Sequence, residues 1–307
     1  MTGARAHAHL AQINLGTLLA DPDDPLVAPF MDALDRVNAV ADAAPGFVWR
    51  LQTDEGNATS VSVTDDPRTI ANLTVWESVE SLKDYVYRSP HVEVFRRRAE
   101  WLVPKGRRFA LWWVPAGEIP TVAGGVRRLE FLERHGPTPY AFGFAHPQPP
   151  LVVETTTPDD PGTAALIARL DAELLALSGN PCENHLTLGT GEVTGGRGVM
   201  FRLRLDGELV GCAAVRPAVG APPGTGELKR MFVDDAYRGQ RLGAALLDHA
   251  ESAAIGLGFT SLRLETSERQ PAAIALYEAA GFTRREPWGE YLETPDTSRC
   301  YEMSLSA

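Results

Sequence analysis

The chain has 307 residues, 44% hydrophobic and 22% charged, with a formal net charge of −11 at pH 7. That length favours two domains, each able to bury a core, and the acidity argues against nucleic acid as the main partner. No apolar run reaches membrane-spanning length and no hydrophobic signal core opens the chain. Only Cys182, Cys212 and Cys300 occur, without metal-like spacing, so reduced thiols, a cytoplasmic setting and no metal are expected.

Leu10–Leu15 reads as a strand, and Asp23-Asp24-Pro25 as an acidic helix start with Phe30, Leu34, Val37 and Ala41 on its buried face. Pro45-Gly46 breaks the chain before a strand at Phe47–Leu51, and further strands are expected around Thr59–Val63 and Ile70–Trp76. Helical spacing returns at Val79, Leu82 and Val86, then at Val94, Phe95 and Leu102, before a strand at Phe109–Val114. The order β-α-β-β-α-β predicts a ferredoxin-like α+β sandwich, an antiparallel sheet with helices on one face. One more helix is expected over Thr121–His135. Trp49, Trp76, Trp101, Trp112 and Trp113 cluster here; a Trp-rich sheet core is the first reading, a ligand pocket or subunit interface the second. The run Arg96-Arg97-Arg98 reads as a solvated helix face.

Asn57-Ala-Thr59, Val75-Trp-Glu77, the stretch from His91 to Trp101 and Leu111-Trp-Trp-Val-Pro115 give this half, about residues 7 to 145, its likeness. It resembles an uncharacterised bacterial domain family related to dimeric α/β-barrel proteins, which include small monooxygenases. The resemblance implies dimerisation through the sheets, so a homodimer is expected. Gly136 to Pro150 is the richest proline stretch and reads as a stiff connector. The boundary is placed near residue 147, giving domains 1–147 and 148–307.

Leu151–Glu154 begins the second half as a strand, and Thr157 to Pro161 caps a helix burying Leu166, Leu170, Leu174 and Leu175. Gly189 to Gly198 is a Gly- and Thr-rich loop placed near an acceptor site. Phe201–Leu205 and Leu209–Val215 form a hairpin about Asp206-Gly207. The central stretch runs from Glu227 through a strand ending at Met231-Phe232-Val233 into the loop Arg238-Gly239-Gln240-Arg241-Leu242-Gly243-Ala244. Leu242, Ala245, Leu246, Ala250 and Ala253 then share a helical face. Loop glycines and the unpaired N–H groups of a first helical turn offer an anion site, with a phosphate or pyrophosphate as its natural guest; an ordinary strand–helix connection with two exposed arginines is the other reading. Ser261–Glu265 is the next strand and Pro271–Ala280 a helix, with Thr283–Trp288 and Cys300–Leu305 closing the sheet.

Arg238, Leu242 and Gly243 fall in register with a Gln/Arg-x-x-Gly-x-Gly/Ala loop, with Arg241 where its first glycine stands. The segment from Gln270 to Phe282 matches Asn-x-x-Ala-x-x-x-Tyr-x-x-x-Gly-Phe/Tyr, with Gln270 in place of Asn. On these motifs residues 151 to 307 resemble the GNAT N-acetyltransferase superfamily, and a GNAT-like mixed sheet flanked by helices is expected. The resemblance implies acetyl-CoA as co-substrate and a small-molecule or peptide amine as acceptor. It further implies backbone contacts from Met231, Phe232, Val233, the 238–244 loop and Gln270 to the cofactor. Tyr277 would be the general acid and Glu227 the general base, with Glu265 in reserve; a core tyrosine held by its ring, and pairing of Glu227 with Lys229 or Arg263, are the other readings. An acyl-CoA sensor without turnover, or a transferase fused to a monooxygenase-like domain, are the alternatives.

Overall fold

The structure, a computed structural model, describes residues 8–53, 56–59, 61, 63–104, 108–179 and 188–305. It separates into two compact units, residues 1–152 and 153–307. Cys182 lies outside the described residues. Among these residues no helix is long and apolar enough to cross a membrane.

In the first unit, β1 (Ala8–Thr17) pairs antiparallel with both β3 (Thr69–Trp76) and β4 (Arg108–Pro115), and β2 (Phe47–Arg50) pairs with β3. The order β2-β3-β1-β4 is the ferredoxin-like one. Helices α1 (Ala28–Met31), α2 (Leu34–Asp42), α3 (Val79–Arg88) and α4 (His91–Arg97) fill the two connections. Helix α1 begins beyond the expected Asp23-Asp24-Pro25 signal, because the Asp24 carboxylate accepts from the Leu26 N–H in a turn before it. Thr59, Val61 and Val63, the described part of an expected strand, are not in a strand.

Helices sit on both faces of this sheet, not on one. Ala11, Ile13, Leu15, Leu73, Val75, Ala110 and Trp112 form a core under α5 (Val122–His135), against which Val122, Val126, Leu129 and Leu132 pack. Helix α5 approaches closely through Gly125, where a Cβ would come within 2.6 Å of Ile13. Thr121 caps it by accepting from the Gly124 N–H at 3.1 Å, a contact worth about 1 kcal/mol. That sheet face, expected to pair with a second copy, is therefore covered within the chain. The opposite face packs Leu10, Trp76 and Leu111 against Leu82 and Tyr85.

The expected connector is in part core. Tyr140, Ala141 and Phe142 are buried, and Phe142 exchanges backbone hydrogen bonds with Leu111 at 2.8 and 2.9 Å. Trp113 Nε1 donates to the Gln148 carbonyl at 3.0 Å. The prolines therefore stiffen a strap laid along β4.

The second unit is a seven-stranded mixed sheet in the order β10-β11-β9-β8-β7-β6-β5. Its strands are β5 (Leu151–Thr156), β6 (Val199–Leu205), β7 (Glu208–Pro217), β8 (Thr225–Val233), β9 (Ser261–Ser267), β10 (Thr283–Arg285) and β11 (Ser298–Ser304). Helix α6 (Pro161–Ser178) starts at Asp160, whose carboxylate accepts from the Gly162 and Thr163 N–H groups. It packs Leu166 and Leu170 on Met200, Cys212 and Phe232, while Leu175, expected inside, is 45% exposed. Helix α7 (Leu242–Gly256) packs on β7 and β8, and α8 (Pro271–Ala279) follows β9. Asp206 and Gly207 take φ of 48° and 93° in the β6–β7 turn, as a tight hairpin requires.

Candidate active site

Strands β8 and β9 pair in parallel, and the pairing is short, from Thr225 opposite Ser261 to Leu228 opposite Leu264. Beyond Leu228 the register continues on the β7 side alone, where it shifts between Cys212 and Ala214. Arg230 takes a φ of 56° there, the mark of a bulge, which bends a strand and increases its twist. The Asp234 N–H donates to the Val210 carbonyl at 2.9 Å. Antiparallel alternation then turns the N–H of Phe232, opposite Cys212, toward β7 and that of Val233 away from it.

Where the strands part, a cleft of about 610 Å³ opens. Met231, Phe232, Val233, Arg238, Gly239, Arg241, Leu242, Gly243, Ala244, Gln270 and Tyr277 all line it. Of the residues expected at the cofactor, Gln240 alone is not in the lining. Sequence reasoning missed Leu170, Glu173 and Leu177 of α6 and Leu276 of α8. Their spacing reads only as helix packing, and the fold alone brings them here.

One wall is the start of α7. The Ala245 N–H bonds to the Arg241 carbonyl at 3.0 Å, so the N–H groups of Leu242, Gly243 and Ala244 precede the first intrahelical bond and remain as donors. Arg241 adopts φ 61° and ψ 17°. The expected glycine position thus has left-handed backbone, and the chain sets an arginine in it. Gly243 leaves room for Leu276, which a Cβ would approach to 3.1 Å. Arg238 donates to the Val233 carbonyl at 2.9 Å and to the Glu173 carboxylate at 2.7 and 3.0 Å, tying the loop to α6. Gln270 accepts from the Thr266 hydroxyl at 3.0 Å and stitches β9 to α8.

Tyr277 is 7% exposed, and its hydroxyl lies 3.7 Å from the Met231 sulfur. Burial, helped by the charge of Glu265, raises its pKa well above the usual phenol range, so the hydroxyl keeps its proton. Glu265 stands on β9 just past the last parallel pair and lines a recess of about 20 Å³, enough for one water. The recess shares Leu177 and Gln270 with the cleft. Burial pushes the Glu265 carboxyl up to about 7, aided by the charges of Glu227 and Glu290 and opposed by a Ser298 hydrogen bond and Lys229.

Glu227 is placed differently. It is 1% exposed, lies opposite Arg263 where β8 and β9 are still paired, and does not line the cleft. Arg216 Nε donates to one carboxylate oxygen at 2.8 Å, and the Tyr291 hydroxyl donates to the other. Lys229 Nζ donates to the Tyr291 oxygen at 2.8 Å and to Glu290 at 3.0 Å. Arg216 also holds Glu192 at 2.6 Å, which anchors the Gly- and Thr-rich loop. Cys212 is fully buried, and burial raises its thiol to about 12, as a core residue rather than a nucleophile.

Residues 179–282 match the family described as Acetyltransferase (GNAT) family, and residues 9–157 match a domain of unknown function, DUF3291. The chain is similar to the IAA acetyltransferase of Azospirillum brasilense, 42% identical over 92 residues that make up 30% of this chain and 59% of that protein. It thus spans little more than half the length of that relative. It is also similar to the uncharacterized N-acetyltransferase YjgM of Escherichia coli, 32% identical over 139 residues, 44% of this chain and 83% of that protein. A solved acetyltransferase of GNAT family from Staphylococcus aureus aligns with 50% of this chain and 99% of its own, at 16% identity and a TM-score of 0.41.

Proposed function

The chain belongs to the GNAT acetyltransferase family through its C-terminal half, and from that premise we propose that it moves an acetyl group from acetyl-CoA directly to a primary amine within a ternary complex. The observation that carries this reading is the parting of β8 and β9 over a cleft floored by the open N–H groups of α7. The donors of Leu242, Gly243 and Ala244 hold the pyrophosphate at the positive end of the helix. The Val233 N–H, and Met231 beside it, bond the pantetheine arm, and a strand N–H at the opening polarises the thioester carbonyl.

Glu265, rather than Glu227, takes the ammonium proton through a water in the recess. Its carboxyl, raised to about 7, matches the working range of a general base. Glu227 has both oxygens engaged by donors and serves to hold β8 in place. The freed amine attacks the thioester carbon, the C–S bond breaks, and Tyr277 gives its proton to the departing thiolate.

The test is acetyl-CoA consumption over a panel of amines, alongside calorimetric binding. We expect Tyr277→Phe to lower turnover by roughly a hundred- to ten-thousand-fold with little change in acetyl-CoA affinity. Binding without turnover on any amine would instead make the domain a sensor. Wild-type turnover in Tyr277→Phe, where chemistry limits the rate, would leave the tyrosine a packing role.

A further inference from the structure

The first unit holds a cavity of about 390 Å³ between its sheet and helices α2 to α4. That volume falls in the range of small-molecule sites. The two faces of the same strands differ in chemistry. The face under α5 packs an apolar core edged by the Arg108–Glu133 ion pair, whereas the inner face carries Gln12 opposite Thr74 and Asn14 opposite Asn72. Gln12, Asn14 and Asn72 line the cavity. Leu34, Val37, Leu82, Phe95 and Phe109 supply much of the remaining wall, and Asn38, Asn57, Thr59, Tyr85, Tyr87 and His91 add polar groups to it. None of the five tryptophans of this half lines it.

A relay fixes what Gln12 offers. Trp76 Nε1 donates to the Thr74 oxygen at 2.8 Å, and the Thr74 hydroxyl donates to Gln12 Oε1 at 2.8 Å. Indole nitrogen is a donor only. Reversing the Gln12 amide would leave the buried Thr74 proton without this acceptor, so the chain of bonds runs one way. The Gln12 side chain, in a residue 5% exposed, therefore presents its NH2 group to the cavity. No protein acceptor meets that group among the described residues. Facing the cavity, that group is open to an acceptor on a ligand.

The charged residues at the cavity are already committed. Arg50 donates to both Asp42 oxygens, at 2.8 and 3.2 Å, and to the Gly56 carbonyl at 2.7 Å. Arg98 lies over the Phe95 ring and donates to the Phe95 carbonyl at 2.6 Å. From the one-way relay, the apolar residues among the walls and the engaged arginines we propose that this cavity binds one neutral small molecule with an apolar body and an acceptor oxygen, such as an aromatic ketone, with Gln12 Nε2 as its donor. The site is independent of the acetyl-transfer reading.

The probe is 6-propionyl-2-(dimethylamino)naphthalene, a neutral aromatic ketone whose emission reports polarity, titrated into the full chain. Saturable, blue-shifted emission at one probe per chain is expected. Val37→Trp, which fills the cavity, abolishes it, and Gln12→Met weakens it by about two- to tenfold, the loss of one hydrogen bond. Binding also shifts the Trp76 indole N–H resonance through the relay, a readout that stands if Val37→Trp does not fold. The proposal is overturned by absence of saturable binding, by unchanged affinity in either folded variant, by an unmoved Trp76 resonance, or by tighter binding of the anionic 8-anilinonaphthalene-1-sulfonate.

Discussion

Glu227 and Glu265 stand on neighbouring strands, and what surrounds each decides its chemistry. Glu227 is buried among donors, so Glu227→Gln leaves Arg216 short of its partner. Breaking a buried pair of this kind costs about 3–5 kcal/mol. The prediction is a lowered melting temperature with the pH–rate profile in place. Glu265→Gln should do the reverse. Its folded carboxyl titrates near 7, above about 4.3 in an unfolded chain, so the folded state keeps the proton between those values. Stability from this group is complete below the unfolded pKa and is lost as pH rises through 7. The variant should therefore match the wild type at pH 4 and exceed it by about 2 kcal/mol at pH 8, from a shift worth 1.36 kcal/mol per pKa unit discounted for partial exposure. The acid limb of the rate near pH 7 should vanish. Equal melting temperatures at both pH values, or a surviving limb, would return the base role to solvent. The sequence named both glutamates, and Arg263 or Lys229 as partners for Glu227. It did not point to Arg216 or Tyr291, which reach Glu227 only through strand pairing and a distant turn.

The element that repays attention at the next scale is the start of α7. Left-handed backbone costs a residue with a side chain about 1–2 kcal/mol, and the gain from a glycine is reduced by its freedom in the unfolded chain. Arg241→Gly should stabilise the ligand-free protein by about 0.5–1 kcal/mol, read as a higher melting temperature without acetyl-CoA. A lower one would mean that the Arg241 side chain holds the loop. Periodicity revealed the elements whose faces are plain, such as α3, α5 and α7. It misjudged those set by partners elsewhere. Thr59 to Val63 alternates like a strand in sequence, but the described residues Thr59, Val61 and Val63 are not in a strand, and β3 takes β2 as its partner on that side. Gly136 to Pro150 has a linker's composition, yet Tyr140 and Phe142 find β4. The second covered face followed from Gly125, whose missing side chain lets α5 sit down on Ile13.

Across the whole chain, a two-part organisation and the 238–244 stretch that lines the cleft were legible from contiguous residues. The N-terminal cavity was not, since Gln12, Thr74 and Trp76 acquire meaning only when β1 and β3 are in register. The parallel pairing of β8 and β9 has a comparable reach. Strands β6 to β8 form one antiparallel run and β9 to β11 another, and four residue pairs join them. So short a seam is expected to let the second unit open between these runs at a free energy below that of global unfolding. On the proposed function, acetyl-CoA bound by α7 and β8 on one side and by Tyr277 on the other would brace the two runs against that opening. At a hundred times Kd the gain is about 2.7 kcal/mol, so deuterium uptake at residues 225–228 and 261–264 should slow about a hundredfold on saturation. Slowing confined to residues that touch the ligand would show that the sheet opens only as a whole.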